Sequence, residues 1–297
     1  MTVTAIPAQA APTIQSISEE LDKGRRQGAL QRIVIPPCPE LLSRLREVLA
    51  QPDPDLQEVA RIASSDVAMS AVLIRQANGP MFAAGQPVQT VGQAMNRLGL
   101  QQTASVLTGF LVQRAIKVTS VHLQRFWERA AKRAMAMIFL SRKFPGMSED
   151  VAHTYGLFCH VGLPVMMQSV PGYGGTLVEA RARKDRTMIQ TENVNHKTDH
   201  AVVGALVARV WRLAPSVMAA IRLHHDYDIL EDHRIDTEVK MLAAVGMLAE
   251  RMMHKHEGIE PDRDWLDSSA QVLQWLEVTE EELETWDLEL RDMLDAA

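Results

Sequence analysis

The sequence predicts an almost wholly helical protein without a β-sheet, and three observations support that expectation. Apolar residues recur at three- and four-residue spacing along most of the chain, and no alternation of period two persists. Helix-start residues precede these stripes, and Gly or Pro follows many of them. Aromatic residues make up only 5% of the 297 while methionines number 16. A core of unbranched and small side chains loses little rotamer freedom in helices.

Residues 1–13 are small, Pro-containing and aperiodic, which predicts a frayed leader. A polar helix is expected from Ile14 to Leu30. Ile35-Pro36-Pro37-Cys38-Pro39 then reads as a stiff extended segment, because proline restricts itself and the residue before it. Leu41, Leu42, Leu45, Val48 and Leu49 mark a helix from Glu40. Asp53-Pro54-Asp55 has the pattern of an N-cap, a first-turn proline and a first-turn acid. The helix it opens carries Leu56, Val59, Ala60 and Ala63, and another runs from Asp66 to Ala77, stopped by Asn78-Gly79-Pro80. Thr90 and Gln93 have capping-box spacing. Gly99 separates the short helix that follows from a longer one reaching Ile116.

Longer helices are expected in the second half. One runs from Leu123 to Phe144. The next is capped by Ser148-Glu149-Asp150 and carries His153, Tyr155, Leu157 and His160. Pro171 to Gly175 reads as a loop, with helices near 175–185, 198–212 and 215–227. Thr237 to His256 is a strong helix, and Thr279 with Glu282 forms a second capping box before a terminal one.

Composition narrows the function classes. With 46% hydrophobic and 23% charged residues, wholesale disorder is excluded. The two cysteines, Cys38 and Cys159, show no paired spacing, which fits a reducing compartment and buried apolar roles. Met1 to Pro12 lacks the basic start and apolar middle of a secretory signal. No apolar run approaches the roughly 20 residues needed to span a bilayer. A cytoplasmic location is therefore expected, with no membrane partner. From Glu257 onward there are fourteen acidic and two basic residues, so the remainder of this chain of net charge −6 is net positive. That asymmetry reads as a solvated acidic helix face, or as one that docks a partner. No basic domain suited to nucleic acid is present.

Ten histidines carry the chemical information. Most sit singly on helical stretches, and His254 and His256 are expected at the surface near a helix end. Three positions stand out: His160 in Gly156-Leu-Phe-Cys-His-Val-Gly162, His200 in Thr198-Asp-His-Ala-Val-Val-Gly204, and the run His224-His225-Asp226.

Read with the motifs around them, these residues give a sequence that resembles the HDOD domain, a variant of the HD phosphohydrolase superfamily. The ordered matches are Ile35-Pro-Pro-Cys-Pro-Glu40, Ile62-Ala-Ser-Ser-Asp66, Leu73-Ile-Arg-Gln-Ala-Asn78, Pro87-Val-Gln-Thr-Val91 and Met95-Asn-Arg-Leu-Gly-Leu100. They continue with Phe126-Trp127, the His160 and His200 segments, Trp211-Arg-Leu-Ala-Pro215 and Ile221-Arg-Leu-His-His225. The resemblance implies an all-α, two-lobed domain over 28–228, with a helical lobe at 28–120 and an HD-like lobe at 121–228. A leader and helix over 1–27 would precede it, and a helical extension over 229–297, acidic from 257, would follow.

The superfamily, as the resemblance implies, holds divalent metal with a His, a His-Asp doublet and a later Asp; such a metal activates water and clamps phosphate. This sequence departs from the pattern. The doublet reads His160-Val161, the first His falls on Arg129, and the late Asp aligns near Ala249-Glu250. A guanidinium has no lone pair to give and keeps its charge, so neither metal nor other cofactor is expected and no residue is assigned as catalytic. Arg129 has two readings: an ion pair with Asp226 or another acid, or a place with His160, His200 and His224 in a metal-free anion pocket. Basic residues Arg125, Arg129, Lys132 and Arg133 read as a solvated stripe. The expected function is a non-catalytic signalling scaffold that binds a protein of a bacterial pathway, with a nucleotide or cyclic dinucleotide as a further ligand. The rival expectation is a metal-dependent phosphohydrolase drawing on His160, His200, His224, His225 and Asp226.

Overall fold

In a computed structural model, residues 13–26, 28–82 and 85–295 are described. The leader expected over 1–12 lies outside them. The helices in chain order are α1 (Ile14–Arg26), α2 (Glu40–Leu49), α3 (Leu56–Ser64), α4 (Val67–Ala77), α5 (Val91–Ala115), α6 (Phe126–Ser141), α7 (Glu149–Phe158) and α8 (Gly162–Ser169). They continue with α9 (Tyr173–Ala182), α10 (Met188–His196), α11 (His200–Val210), α12 (Pro215–Leu223), α13 (Thr237–His256), α14 (Arg263–Leu276) and α15 (Glu280–Asp295). Among the described residues there is no strand, and no helix is long and apolar enough to cross a membrane.

Helices α2 to α5 pack on one another as a first lobe. Its local signals behave as chemistry dictates. Thr90 and Gln93 close a reciprocal capping box on α5, and Gly99, at φ +75°, breaks that helix into the two expected segments. At α3 the cap lies elsewhere than expected. The Asp55 carboxylate, rather than Asp53, accepts the amide hydrogens of Gln57 and Glu58, so Asp53-Pro54 stays outside the helix.

The second lobe is built on the α6–α7 and α11–α12 pairs, with α13 packed across α6, α7 and α12. Helix α1 docks on α11 and α12. Trp211, buried beneath the Pro36 carbonyl, donates its indole N–H to that oxygen at 2.8 Å and meets the Phe158 ring edge-on. The stiff proline segment is thereby pinned to the second lobe. Arg46 of α2 adds hydrogen bonds to the carbonyls of Trp211 and Arg212.

Several boundaries differ from expectation. Helix α7 ends at Phe158, so His160 sits in the turn before α8 rather than on a helix. Helix α12 stops at Leu223, where the His224 ring Nδ1 lies 2.7 Å from the Ile221 carbonyl and satisfies an oxygen that the helix end leaves free. Helices α8, α10 and α14 went unpredicted.

Two glycines let the turn carrying His160 approach α11. A Cβ at Gly162 would stand 2.0 Å from the His200 carbonyl oxygen and 2.8 Å from the Gly204 nitrogen. Only a residue without a side chain fits there, and this contact brings His160 to His200.

Candidate metal centre

Four imidazoles converge in the second lobe. His160 comes from the α7–α8 turn, His200 opens α11, and His224 and His225 follow α12. One ring nitrogen from each lies within 4.8 Å of all the others.

The outward side of three rings is taken up by an acceptor. The Nδ1 of His200 lies 2.8 Å from Glu192 Oε2, which also accepts the His200 backbone N–H at 3.2 Å. Glu192 is fully buried on α10, and its other oxygen accepts the Tyr173 hydroxyl. Burial pushes the Glu192 carboxyl up, but His200 and the hydrogen bonds outweigh it and hold the group below its ordinary value. His224 donates Nδ1–H to the Ile221 carbonyl, and His225 bonds the Asp264 carboxylate through its Nδ1. Each acceptor fixes its ring so that Nε2 points inward, the arrangement that orients metal-binding histidines.

The inward atoms are close. His225 Nε2 lies 3.1 Å and His160 Nδ1 lies 3.3 Å from His200 Nε2. Ligands about 2.0–2.1 Å from a tetrahedral zinc ion stand roughly 3.3–3.4 Å apart. Nε2 of His224 is buried and has no hydrogen-bond partner. Burial and the neighbouring imidazoles keep His224 well below its ordinary pKa, so that nitrogen carries a free lone pair. Burial, then Arg133, pushes His160 down to about 3. Burial also disfavours a charge on His225, but Asp264 outweighs it and raises the group above its ordinary value. An orphaned lone pair among convergent nitrogens fits a transition-metal cation.

The surroundings are the wrong sign for an anion. Glu192, Asp264 and Glu250 ring the cluster, with Glu250 Oε2 at 3.8 Å from His160 Nε2. Arg133, only 5% exposed, donates Nε–H to Glu250 at 2.6 Å. It is a buried partner rather than part of a solvated stripe. Arg129 lies within ion-pair distance of Glu257 (3.3 Å) and Glu250 (3.6 Å). The expected pairing with Asp226 is not made, because Asp226 is exposed beyond the end of α12. Arg129 thus faces Glu250 of α13 and Glu257 just beyond it, which is the expected ion pair with another acid. Val161 is fully buried among apolar side chains. His254 is held 3.3 Å from Glu250, and His256 3.4 Å from Asp295, so neither is a free surface group. Burial pushes the Cys159 thiol up to about 12, which leaves it protonated.

A sequence profile of the HDOD domain matches residues 35–227. The chain belongs to the HDOD family. Over 194 residues, 65% of this chain, it is 25% identical to an uncharacterised protein of Treponema pallidum (strain Nichols), and it spans 38% of that protein's length. A candidate signal transduction protein from Marinobacter aquaeolei superposes with a TM-score of 0.75 at 18% identity, covering 95% of this chain and 64% of that one. A candidate phosphohydrolase from Shewanella amazonensis gives 0.70 at 22% identity, covering 93% of each chain. Identities this low show the fold alone, which is the two-lobed helical HDOD fold.

Of the residues singled out in sequence, His160, His200, His224 and His225 meet; Arg129, Val161 and Asp226 stand outside the imidazole set. Sequence reasoning missed Glu192, Tyr173 and Asp264, and aligned Glu250 only loosely. Glu192 and Asp264 lie on α10 and α14, the helices that went unpredicted. A stripe at Trp265, Val272 and Leu276 was available to mark α14; α10 buries Thr191 and Glu192 and has no apolar stripe, and the signal available for it was the capping box of Thr187 and Gln190.

Proposed function

We propose that this HDOD protein is a non-catalytic signalling module whose second lobe holds one transition-metal ion on His160, His200, His224 and His225. The supporting observation is the orphaned Nε2 of His224 among three other imidazole nitrogens, each within 4.8 Å. A bound divalent ion supplies Lewis acidity and an activated water when it keeps an open position, as catalytic sites do. Four protein ligands would leave such an ion without an open position, as in structural sites. Val161, where the doublet's carboxylate belongs, removes the ligand that hard phosphate-clamping cations favour. The residues therefore hold the lobe together and shape its surface, and the module acts by binding a protein partner in the cytoplasm. The working unit is 28–228, with lobes at 28–120 and 121–228 and an extension over 229–297.

Elemental analysis of the purified full chain, paired with phosphomonoester and cyclic-dinucleotide hydrolysis assays in Mn²⁺ and Mg²⁺, tests the proposal. The expected result is one transition-metal ion per chain and no turnover. Turnover that disappears in His160→Ala or His200→Ala would establish the metal-dependent phosphohydrolase instead. A chain that takes up no Zn²⁺ would remove the centre.

A further inference from the structure

The HDOD match ends at residue 227, yet the site does not. The Nδ1 of His225 bonds the carboxylate of Asp264, 39 residues further along. Asp264 lies in the first turn of α14, whose start is set by Asp262 accepting the Trp265 N–H at 2.9 Å. The carboxylate is 17% exposed, as is the His225 side chain. Helix α14 is seated by Val272, Leu273 and Leu276 against α13 and the short 3-10 helix Tyr227–Glu231.

We infer that Asp264 is a positioning residue for the four-histidine centre, so that ion binding and docking of the C-terminal extension strengthen one another. This rests on the metal-centre reading above. Within the matched domain Glu192 stands behind His200; behind His225 the charge comes from the extension. A carboxylate on Nδ1 holds the ring with Nε2 inward and raises its strength as a ligand, an effect worth about 10–100-fold in metal affinity. Coupling is reciprocal by thermodynamic necessity. A bound ion, by holding His225 in place, holds Asp264 and the α14 start against the lobe, and loss of the ion loosens that helix.

The test uses the full chain with Zn²⁺ as the probe, its affinity read by competition with a chromophoric chelator and α14 protection by hydrogen exchange. Asp264→Asn keeps size and an acceptor oxygen but loses the charge; it should weaken Zn²⁺ binding about 10–100-fold. Asp264→Glu, which keeps the charge, should recover most of that loss. Asp267→Asn removes a solvent-exposed charge from the same helix, where Asp267 pairs with Arg263, and should leave Zn²⁺ affinity unchanged. Zn²⁺ should slow exchange in α14 of the unaltered chain and not in Asp264→Asn. The inference is overturned if Asp264→Asn binds as tightly as the unaltered chain, if Asp264→Glu is no better than Asp264→Asn, or if Asp267→Asn is equally weakened. It is also overturned if α14 exchange ignores Zn²⁺. An unaltered chain that binds no Zn²⁺ overturns the metal centre itself, a failure visible before any variant is made.

Discussion

Glu192 accepts two hydrogen bonds from a single residue, His200, one from its ring and one from its backbone nitrogen. A fully buried carboxylate is costly unless every lone pair finds a donor; here the Tyr173 hydroxyl supplies another. Glu192→Ala strands those donors and should destabilise the protein by about 3–5 kcal/mol, read from urea midpoints. A loss under about 1 kcal/mol, the worth of one ordinary hydrogen bond, would show that the network contributes little.

The contact at Gly162 allows no side chain. Because the clash is with backbone rather than a movable side-chain end, Gly162→Ala should cost about 3 kcal/mol or more. Gly204→Ala meets the end of an Ile221 side chain at 3.0 Å and the Gly162 nitrogen only at 3.4 Å, so it should cost less. Equal midpoints for the two variants would contradict the geometry.

Arg133 and Glu250 form a pair worth testing as a unit. Arg133→Leu leaves the Glu250 carboxylate facing His160 without its closest cation, and should cost several kcal/mol, about 3–5. Adding Glu250→Leu should recover most of that loss, because breaking a buried pair costs more than replacing it by apolar groups. A double-mutant cycle with no coupling would place the Arg133 charge outside the network.

His153 links stability to pH. Burial pushes its pKa from 6.5 down to about 4. Between those values the unfolded chain binds a proton that the folded chain refuses. The stability contributed by the neutral ring is complete above about pH 6.5 and is lost as pH falls toward 4. In His153→Gln the slope of stability against pH over that window should be shallower. Parallel curves for the two proteins would show that His153 titrates alike in both states.

The helices that were legible from sequence are those with strong local signals. The boxes at Thr90–Gln93 and Thr279–Glu282 form as expected, Gly99 kinks α5, and α13 spans Thr237–His256. Caps and apolar stripes act within one or two turns, so a reader of local sequence can see them. The site was only half legible. Its four imidazoles stood out through their motifs, while Glu192 and Asp264 sit on helices that went unpredicted. Arg133 looked like one more cation on a basic stripe until α13 was packed against it.

Sequence alone therefore determined that the chain is helical, where most of its helices start, and which histidines deserved attention, because periodicity and capping are short-range properties. Tertiary structure alone decided that His160, His200, His224 and His225 share a centre, that Arg129 faces Glu250 and Glu257 instead of joining it, and that Asp264 stands behind His225. These pairings join residues as far apart as 128 positions, as Arg129 and Glu257 are. Which charge meets which ring depends on how the helices pack, and neither a residue's type nor its neighbours in sequence encodes that locally.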